Sequence, residues 1–202
     1  MDDERAVVGE RLARQVEFIV EIDRLKTVLR RTLLTDRSRN ENSAEHSWHL
    51  AVMALLLHEY AEEPVNLRRV LKIVLVHDLV EIDAGDTFCY DEDANRGREE
   101  RERLAARRLF SVLPADQAAE MHGLWEEFEA RETADARFAA ALDRMQPLLS
   151  NLATGGHSWR KHGVALEQVL ARTAPIGDAS ADLWEYMRER LAEAVDNGIL
   201  DP

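Results

Sequence analysis

The run Leu75-Val76-His77-Asp78-Leu79-Val80-Glu81, continuing to Gly85-Asp86, constrains this chain more than any other part of it. An imidazole and a carboxylate stand side by side in an otherwise apolar helical stretch, and a second carboxylate follows one turn later. At about 100° per residue, His77, Asp78 and Glu81 project at roughly 0°, 100° and 40° around a helix axis, so they share one sector. Val74, Leu75, Leu79 and Val80 cover the other sides, which places the polar sector in an interior. Buried polar groups without partners are costly. A divalent cation satisfies an imidazole and its neighbouring carboxylate together, so further ligands have to arrive from elsewhere in the chain.

The 202 residues suffice for one domain with its own core, residues 1–202. Pro (5) and Gly (9) are scarce, strand-like alternation is nearly absent, and a period close to 3.6 predicts an all-α bundle of about seven or eight helices. The stripe Leu12, Val16, Ile19, Ile22 and Leu25 predicts a first helix from about Ala6 to Arg30, with a polar loop over 36–40. Asn42 with Glu45 three residues on forms a capping-box pattern that opens a second helix at Ser43, running through Tyr60. Pro64 breaks the chain and Asn66 caps a third helix, apolar nearly all round and hence central, which Gly85 ends. Beyond an acidic loop to Asn95, the run Arg98–Arg103 predicts a helix over 97–113 whose solvated face carries i,i+4 ion pairs. Helices over 115–130 and 135–151 follow, the second capped by Thr133, and the last two lie near 166–172 and 181–195. Gly155-Gly156 marks a turn, and the group His157 to Lys161 reads as a surface turn rather than a pocket border. Trp125 and Trp184 read as core or interface. The face of Leu183, Trp184, Met187, Leu191 and Val195 is open to packing within or between chains.

The net charge of -13 excludes a general binder of nucleic-acid polymers, whose phosphates need a basic surface. A small anionic substrate needs only a local basic patch or a metal. The single cysteine, Cys89, reads as a small loop hydrophobe and suits a reducing compartment. The acidic start Met1-Asp2-Asp3-Glu4-Arg5 does not resemble a signal peptide, and no apolar run approaches the ~20 residues of a membrane span. The expectation is a soluble, cytoplasmic protein without a membrane partner.

Two other regions offer ligands. His46 and His49 stand at i,i+3, so either could face the third helix; the alternative for His49 is a packing role. Asp143 interrupts the small apolar run Phe138-Ala139-Ala140-Ala141-Leu142, which suggests an inward carboxylate; its local alternative is an ion pair with Arg144. Pro147 cannot donate to the Asp143 carbonyl, which predicts a kink there.

The order His46 … His77-Asp78 … Asp143 resembles the HD-domain metal-dependent phosphohydrolases, and within them the subgroup of the bacterial 5′-deoxynucleotidases and the phosphohydrolase of oxetanocin biosynthesis. The matching pieces are Leu25-Lys26, Ala44-Glu45-His46-Ser47, His77-Asp78-Leu79-Val80-Glu81 through Gly85-Asp86, and Ala141-Leu142-Asp143-Arg144. The resemblance implies a single HD-type bundle, a homodimer, one divalent ion on His46, His77, Asp78 and Asp143, and catalytic roles for Glu81 and Asp86. A mixed N/O donor set suits Mn²⁺, Co²⁺, Ni²⁺, Fe²⁺ or Zn²⁺ better than Mg²⁺. The subgroup places an Arg and a Trp after the Leu-Lys of the first helix, to hold phosphate and sugar. Arg30 matches the Arg and becomes the phosphate clamp; its alternative, with Arg31, is a charge answering the helix dipole. Leu33 stands where the Trp would be, so a deoxyribose preference is left open.

The implied activity is that of a metal-dependent phosphomonoesterase acting on a small phosphorylated substrate, a nucleoside 5′-monophosphate above all. Glu81 would orient or deprotonate water, and Asp86 would position substrate or protonate the leaving oxygen. The alternatives are a phosphodiesterase or nucleotide triphosphohydrolase on the same centre, and a non-catalytic nucleotide-binding helical module.

Overall fold

Local capping signals set most of the helix boundaries. In the computed structural model, which describes residues 2–202 and the side chains outside 2–6, 92 and 94, Asn42 accepts from the Glu45 N–H at 2.9 Å and Glu45 accepts from the Asn42 N–H at 3.1 Å. This box opens α2 (Ser43–Leu57). Asn66 caps α3 (Leu67–Val76) and Thr133 caps α8 (Ala134–Ala153), through the N–H groups of Arg69 and Ala136. Met1, which opens the acidic pentapeptide, lies outside the described residues.

The first helix is shorter than its periodicity predicts. α1 (Asp2–Glu21) tightens into a 3-10 segment, Ile22–Thr27, and the chain then turns extended. Leu29–Leu33 form β1, antiparallel to β2 (Asn40–Asn42), with an irregular register between Leu29↔Asn42 and Leu33↔Asn40. The bundle thus carries a two-stranded ribbon where helix and loop were expected. β-branched Thr27, Val28 and Thr32 favour extended backbone. The hairpin is closed by the Asn40 side-chain amide donating to the Arg30 carbonyl at 2.6 Å, by the Ser43 N–H donating to the Val28 carbonyl at 3.0 Å, and by Arg37 in the left-handed region (φ 63°). Pleating buries Thr32, half-buries Arg30, and leaves Leu29 and Arg31 exposed.

The stripe expected to seat α1 is also corrected: Leu12 and Ile19 are 56% and 62% exposed, and Val16 is exposed too. α1 instead docks through the neighbouring face. Arg11 grips Asp116 with two hydrogen bonds, Arg14 donates to the carbonyls of Ser111 and Val112, and Phe18 packs on Phe110.

The core lies where α3 meets α2, α7 (Ala115–Ala130) and α8. Phe138 and the small residues Ala139, Ala140 and Ala141 let α8 approach its neighbours closely. α8 continues through Pro147 without interruption, so no break in the helix accompanies the missing N–H. α3 is less fully enclosed than expected, since Leu75 is exposed, and it ends at Val76. His77–Val80 form a 3-10 turn and Glu81–Ala84 a short helix, α4. Gly85, at φ 77°, reverses the chain toward Asp86.

The rest wraps this core: α5 (Glu92–Asn95), α6 (Arg98–Phe110), α9 (His157–His162), α10 (Leu166–Thr173), α11 (Ile176–Ala179) and α12 (Ala181–Asp196). Leu183, Met187 and Leu191 of α12 are buried within the chain. Trp125 is core, and Trp184 packs on the core beside Gly177. On α6 the pairs Arg98–Glu102 and Glu99–Arg103 form as expected, but Glu102 is buried rather than solvated. No helix among the described residues is long and apolar enough to cross a membrane.

Gly156 fixes the joint between α8 and α9. Its φ is +71°, and a Cβ there would meet the Ile199 carbonyl oxygen at 2.1 Å. Gly163 has a similar φ of +62° with nothing near. Gly156→Ala therefore destabilises by about 2–4 kcal/mol, combining backbone strain and overpacking, against about 1 kcal/mol for Gly163→Ala. Urea denaturation of the two variants checks the order.

Candidate metal centre and active site

His46 sits in the first turn of α2, fully buried. Its Nε2 lies 3.0 Å from Asp143 Oδ1, and its Nδ1 lies 3.1 Å from Gln146 Oε1. The Gln146 amide is oriented by its other contacts: Nε2 donates to Glu41 Oε1 at 2.8 Å and to Ser150 Oγ at 3.3 Å. The Gln146 carbonyl thus faces His46, which places the imidazole hydrogen on Nδ1 and turns the Nε2 lone pair toward a carboxylate oxygen. A second proton would relieve that clash, but burial and the nearby Arg30 charge hold His46 below its ordinary value.

His77 repeats the pattern. Its Nδ1 donates to the Val74 carbonyl at 2.9 Å, while its buried Nε2 has no hydrogen-bond partner. Carboxylate oxygens surround that atom, Asp78 Oδ1 at 3.0 Å and Asp143 Oδ1 at 3.8 Å. Burial pushes His77 down, yet the charges of Asp78 and Asp143 outweigh it and hold the bare imidazole up at about 9. Burial would raise Asp143, but its contacts with His46 and His77 hold it well below the usual carboxylate range. Ligand atoms of His46, His77 and Asp143 lie within 4.8 Å of one another. Two ring nitrogens aimed at one carboxylate mark a place for positive charge: the surrounding carboxylates favour a proton on His77 in the bare site, and a divalent cation fits in its stead.

Asp78, expected as a fourth ligand, borders this cluster with Oδ2 at 3.9 Å from His46 Nε2. The same oxygen accepts from Arg30 Nη1 at 2.9 Å. Arg30 also lies 3.7 Å from Asp86 and 4.0 Å from Glu41. Burial lowers its pKa, but Asp78, Glu81, Asp86 and Asp143 together raise it. It stands on a strand, not at a helix C-terminus, and its guanidinium is engaged by carboxylates. Asp143 pairs with the histidines and not with Arg144, whose Nη1 donates to the Ala140 carbonyl.

Glu81 is buried and accepts from the Ser43 hydroxyl at 2.5 Å. Burial and the Asp78 charge keep its carboxyl well above the ordinary range, although Arg30 opposes them. Asp86 is likewise raised, by burial against the pull of Arg30 and with the push of Asp78. His77, Asp78, Glu81, Asp86 and Asp143 all line one cavity of about 120 Å³.

The cavity wall also carries basic and aromatic residues: Arg131, Arg144, Arg172, Phe88, Tyr90 and Trp159. Burial, with Arg131 and Arg172 nearby, lowers Arg144 to about 10. The group after Gly155-Gly156 was expected as a surface turn. It is a helix whose Ser158 and Trp159 are buried against the cavity, while His157, Arg160 and Lys161 point outward. Cys89 is exposed on the same wall rather than packed as a hydrophobe. Leu33 does not line the cavity. His49 plays its alternative role, with Nδ1 3.2 Å from Gln146 Nε2. The sequence reading missed Glu41, Ser43 and Gln146. Gln146 was within reach, being one turn beyond Asp143 on the same helix; Glu41 and Ser43 carry no local signal beyond flanking a cap.

The HD domain family matches residues 22–184. The 5′-deoxynucleotidase HDDC2 of Bos taurus is 32% identical over 146 residues, 71% of this chain and 70% of that protein. The crystal structure of a predicted metal-dependent phosphohydrolase of Magnetospirillum magnetotacticum MS-1 superimposes with a TM-score of 0.92 at 58% identity, covering 96% of this chain and 97% of that one. An HD-domain phosphohydrolase of Listeria innocua shares the fold at a TM-score of 0.59 and 17% identity, covering 90% and 85%. The chain belongs to the HD domain family. It is an enzyme of the metal-dependent phosphohydrolase kind, to which the relatives and the cation-sized cluster both point.

Gln146→Leu removes the group that fixes the His46 tautomer. Metal affinity is expected to fall about 10–100-fold, the usual cost of losing a partner that orients a ligand, with the fold intact. Calorimetric Mn²⁺ titration and circular dichroism together measure this.

Proposed function

We propose that the protein is a phosphomonoesterase that releases inorganic phosphate from small phosphate esters, nucleoside 5′-phosphates above all. The observation carrying this reading is the pair of imidazole nitrogens converging on Asp143 beside a cavity lined by two further carboxyls, Glu81 and Asp86. His46, His77 and Asp143, with Asp78 beside them, would hold a divalent transition-metal ion. That ion supplies positive charge that polarises a phosphate and offsets the surrounding carboxylates.

The chain's own groups divide the remaining work. Ser43 occupies Oε2 of Glu81, leaving Oε1 to orient the attacking water and, in the ionised form that a bound cation would favour, to take its proton. Asp86 follows the Gly85 turn, and burial keeps its proton to higher pH than an ordinary aspartate, as an acid for the leaving oxygen requires. Phe88, Tyr90 and Trp159 offer faces for a nucleobase or sugar. The name of the bovine relative, a 5′-deoxynucleotidase, supports a nucleotide substrate.

The test is phosphate release from a panel of nucleotides and sugar phosphates, each with Mn²⁺, Co²⁺, Mg²⁺ and Zn²⁺. Turnover is expected to need added metal, to vanish with EDTA and in His77→Ala, and to drop about 10²–10⁴-fold in Glu81→Gln with metal content unchanged. Equal turnover in wild type and His77→Ala would refute the proposal, and release of pyrophosphate or triphosphate would favour a triphosphohydrolase instead.

We propose in addition that the protein is a homodimer, for which the exposed Leu12, Val16 and Ile19 of α1 supply an apolar face. Light scattering should give twice the 23.0 kDa chain mass, falling to one chain in Leu12→Glu/Ile19→Glu.

A further inference from the structure

We infer that the cavity holds a second anion subsite, built by Arg131, Arg144 and Arg172, which selects small phosphate esters bearing another negatively charged group. The inference rests on the phosphohydrolase reading and names the charge pattern of its substrate.

Arg144 is 7% exposed, and its Nε has no hydrogen-bond partner. Its Nη1 donates to the Ala140 carbonyl, a neutral acceptor. The Nε of Arg131 is likewise buried without a partner, and the residue sits in the left-handed region at φ 54°, where non-glycine backbone is strained. Among the described residues no ion pair forms to Arg131, Arg144 or Arg172, and the side-chain partner of Arg172 is the thiol of Cys89 rather than a carboxylate. The other arginines on the cavity wall that are shielded from solvent are paired: Arg30 meets Asp78 at 2.9 Å and Arg98 meets Glu102 at 2.6 Å.

Bringing three guanidinium groups together at a cavity wall without a carboxylate is costly, both in desolvation and in mutual repulsion. In a chain with 39 acidic residues against 26 basic ones, pairing would have been easy. An incoming anion supplies the missing acceptor, through the charge-assisted and bidentate bonds that guanidinium makes to phosphate or carboxylate. The scissile phosphate belongs elsewhere, at the cluster of His46, His77 and Asp143, where Arg30 is the adjacent guanidinium. Asp143 and Arg144 are consecutive on α8 and line the same cavity, so one small molecule can span both. An ester with a single phosphate and a neutral body leaves the arginine wall unsatisfied.

The test compares, on the Mn²⁺-loaded full chain, esters with one anionic group (a nucleoside 5′-monophosphate, p-nitrophenyl phosphate) and esters with a second one. The second set carries either a carboxylate (3-phosphoglycerate, 6-phosphogluconate) or a phosphate (a nucleoside 3′,5′-bisphosphate), which separates the two sources of charge. At least one of these is expected to exceed the single-anion esters about 10–100-fold in kcat/KM, the range of a hydrogen bond to a charged group. Arg144→Met should remove that advantage through KM while leaving the single-anion esters within a factor of about two. Arg172→Gln, at a less buried position, should do the same in part and covers the case in which Arg144→Met does not fold. Equal kcat/KM across both sets, or an equal loss on both in Arg144→Met, overturns the inference. A second readout does not need turnover: orthophosphate should bind the EDTA-treated full chain in calorimetry and bind at least tenfold more weakly to Arg172→Gln. Absence of binding by the wild type refutes the subsite. Absence of phosphate release from every ester with every metal refutes the phosphohydrolase reading instead, so the two failures are distinguishable.

Discussion

The interior of this protein gathers Glu41, Asp78, Glu81, Asp86 and Asp143 around Arg30 and two imidazoles, and the fold depends on how those charges are balanced. Like charges repel strongly where water is scarce. Arg30 answers part of that repulsion by meeting Asp78 and approaching Asp86 and Glu41. It reaches them because the chain leaves its first helix early and extends into a hairpin, whose pleat turns Arg30 and Thr32 inward. The small ribbon is therefore an electrostatic component of the bundle as well as a connector. What Arg30 leaves unbalanced falls on His46 and His77, whose ring nitrogens face Asp143 as donors to a cation would.

The features that were legible in the sequence are those encoded by neighbours. Asn42 with Glu45, Asn66 and Thr133 each announce a helix start because capping is a matter of three or four residues. His77 and Asp143 stood out as polar positions in apolar runs, the resemblance selected His46 over His49, and the structure brings the three together. The misreadings share another cause. Periodicity reveals that α1 has an apolar stripe at Leu12, Val16 and Ile19, but not whether anything covers it; Arg11, Arg14 and Phe18 seat the helix on its adjacent face. The strand at 29–33 is too short, and too polar on its inward side, to show as alternation. The change of pitch at His77 leaves no mark in composition at all. Arg131 stands at the C-terminal end of α7 and Arg172 in the last turn of α10, remote from every motif, so only the folded chain brings them to the cavity beside Arg144.

The cavity that results carries two kinds of group. Carboxylates, imidazoles and the paired Arg30 belong to the cluster around Asp143, while guanidinium groups without a carboxylate and aromatic rings complete the lining. Asp143 and Arg144 are neighbours on α8, so one core helix serves both. Arg131, Trp159 and Arg172 come from the end of α7, from α9 and from α10, outside the pieces that carry the family resemblance. A common hydrolytic centre can thus serve different esters, with chemistry set by one group of residues and selection by the other.

His46, His77 and Asp143 belong to α2, the turn after α3, and α8, segments far apart along the chain. An ion gripping all three would act as a staple, closing long loops that a loose polypeptide closes only at an entropic cost. Such a bond forms only when the helices have assembled, so occupancy and assembly become one equilibrium. Resistance to heat and proteolysis would then track the free metal of the surroundings, and scarcity of the ion would thin the folded population as well as silence it.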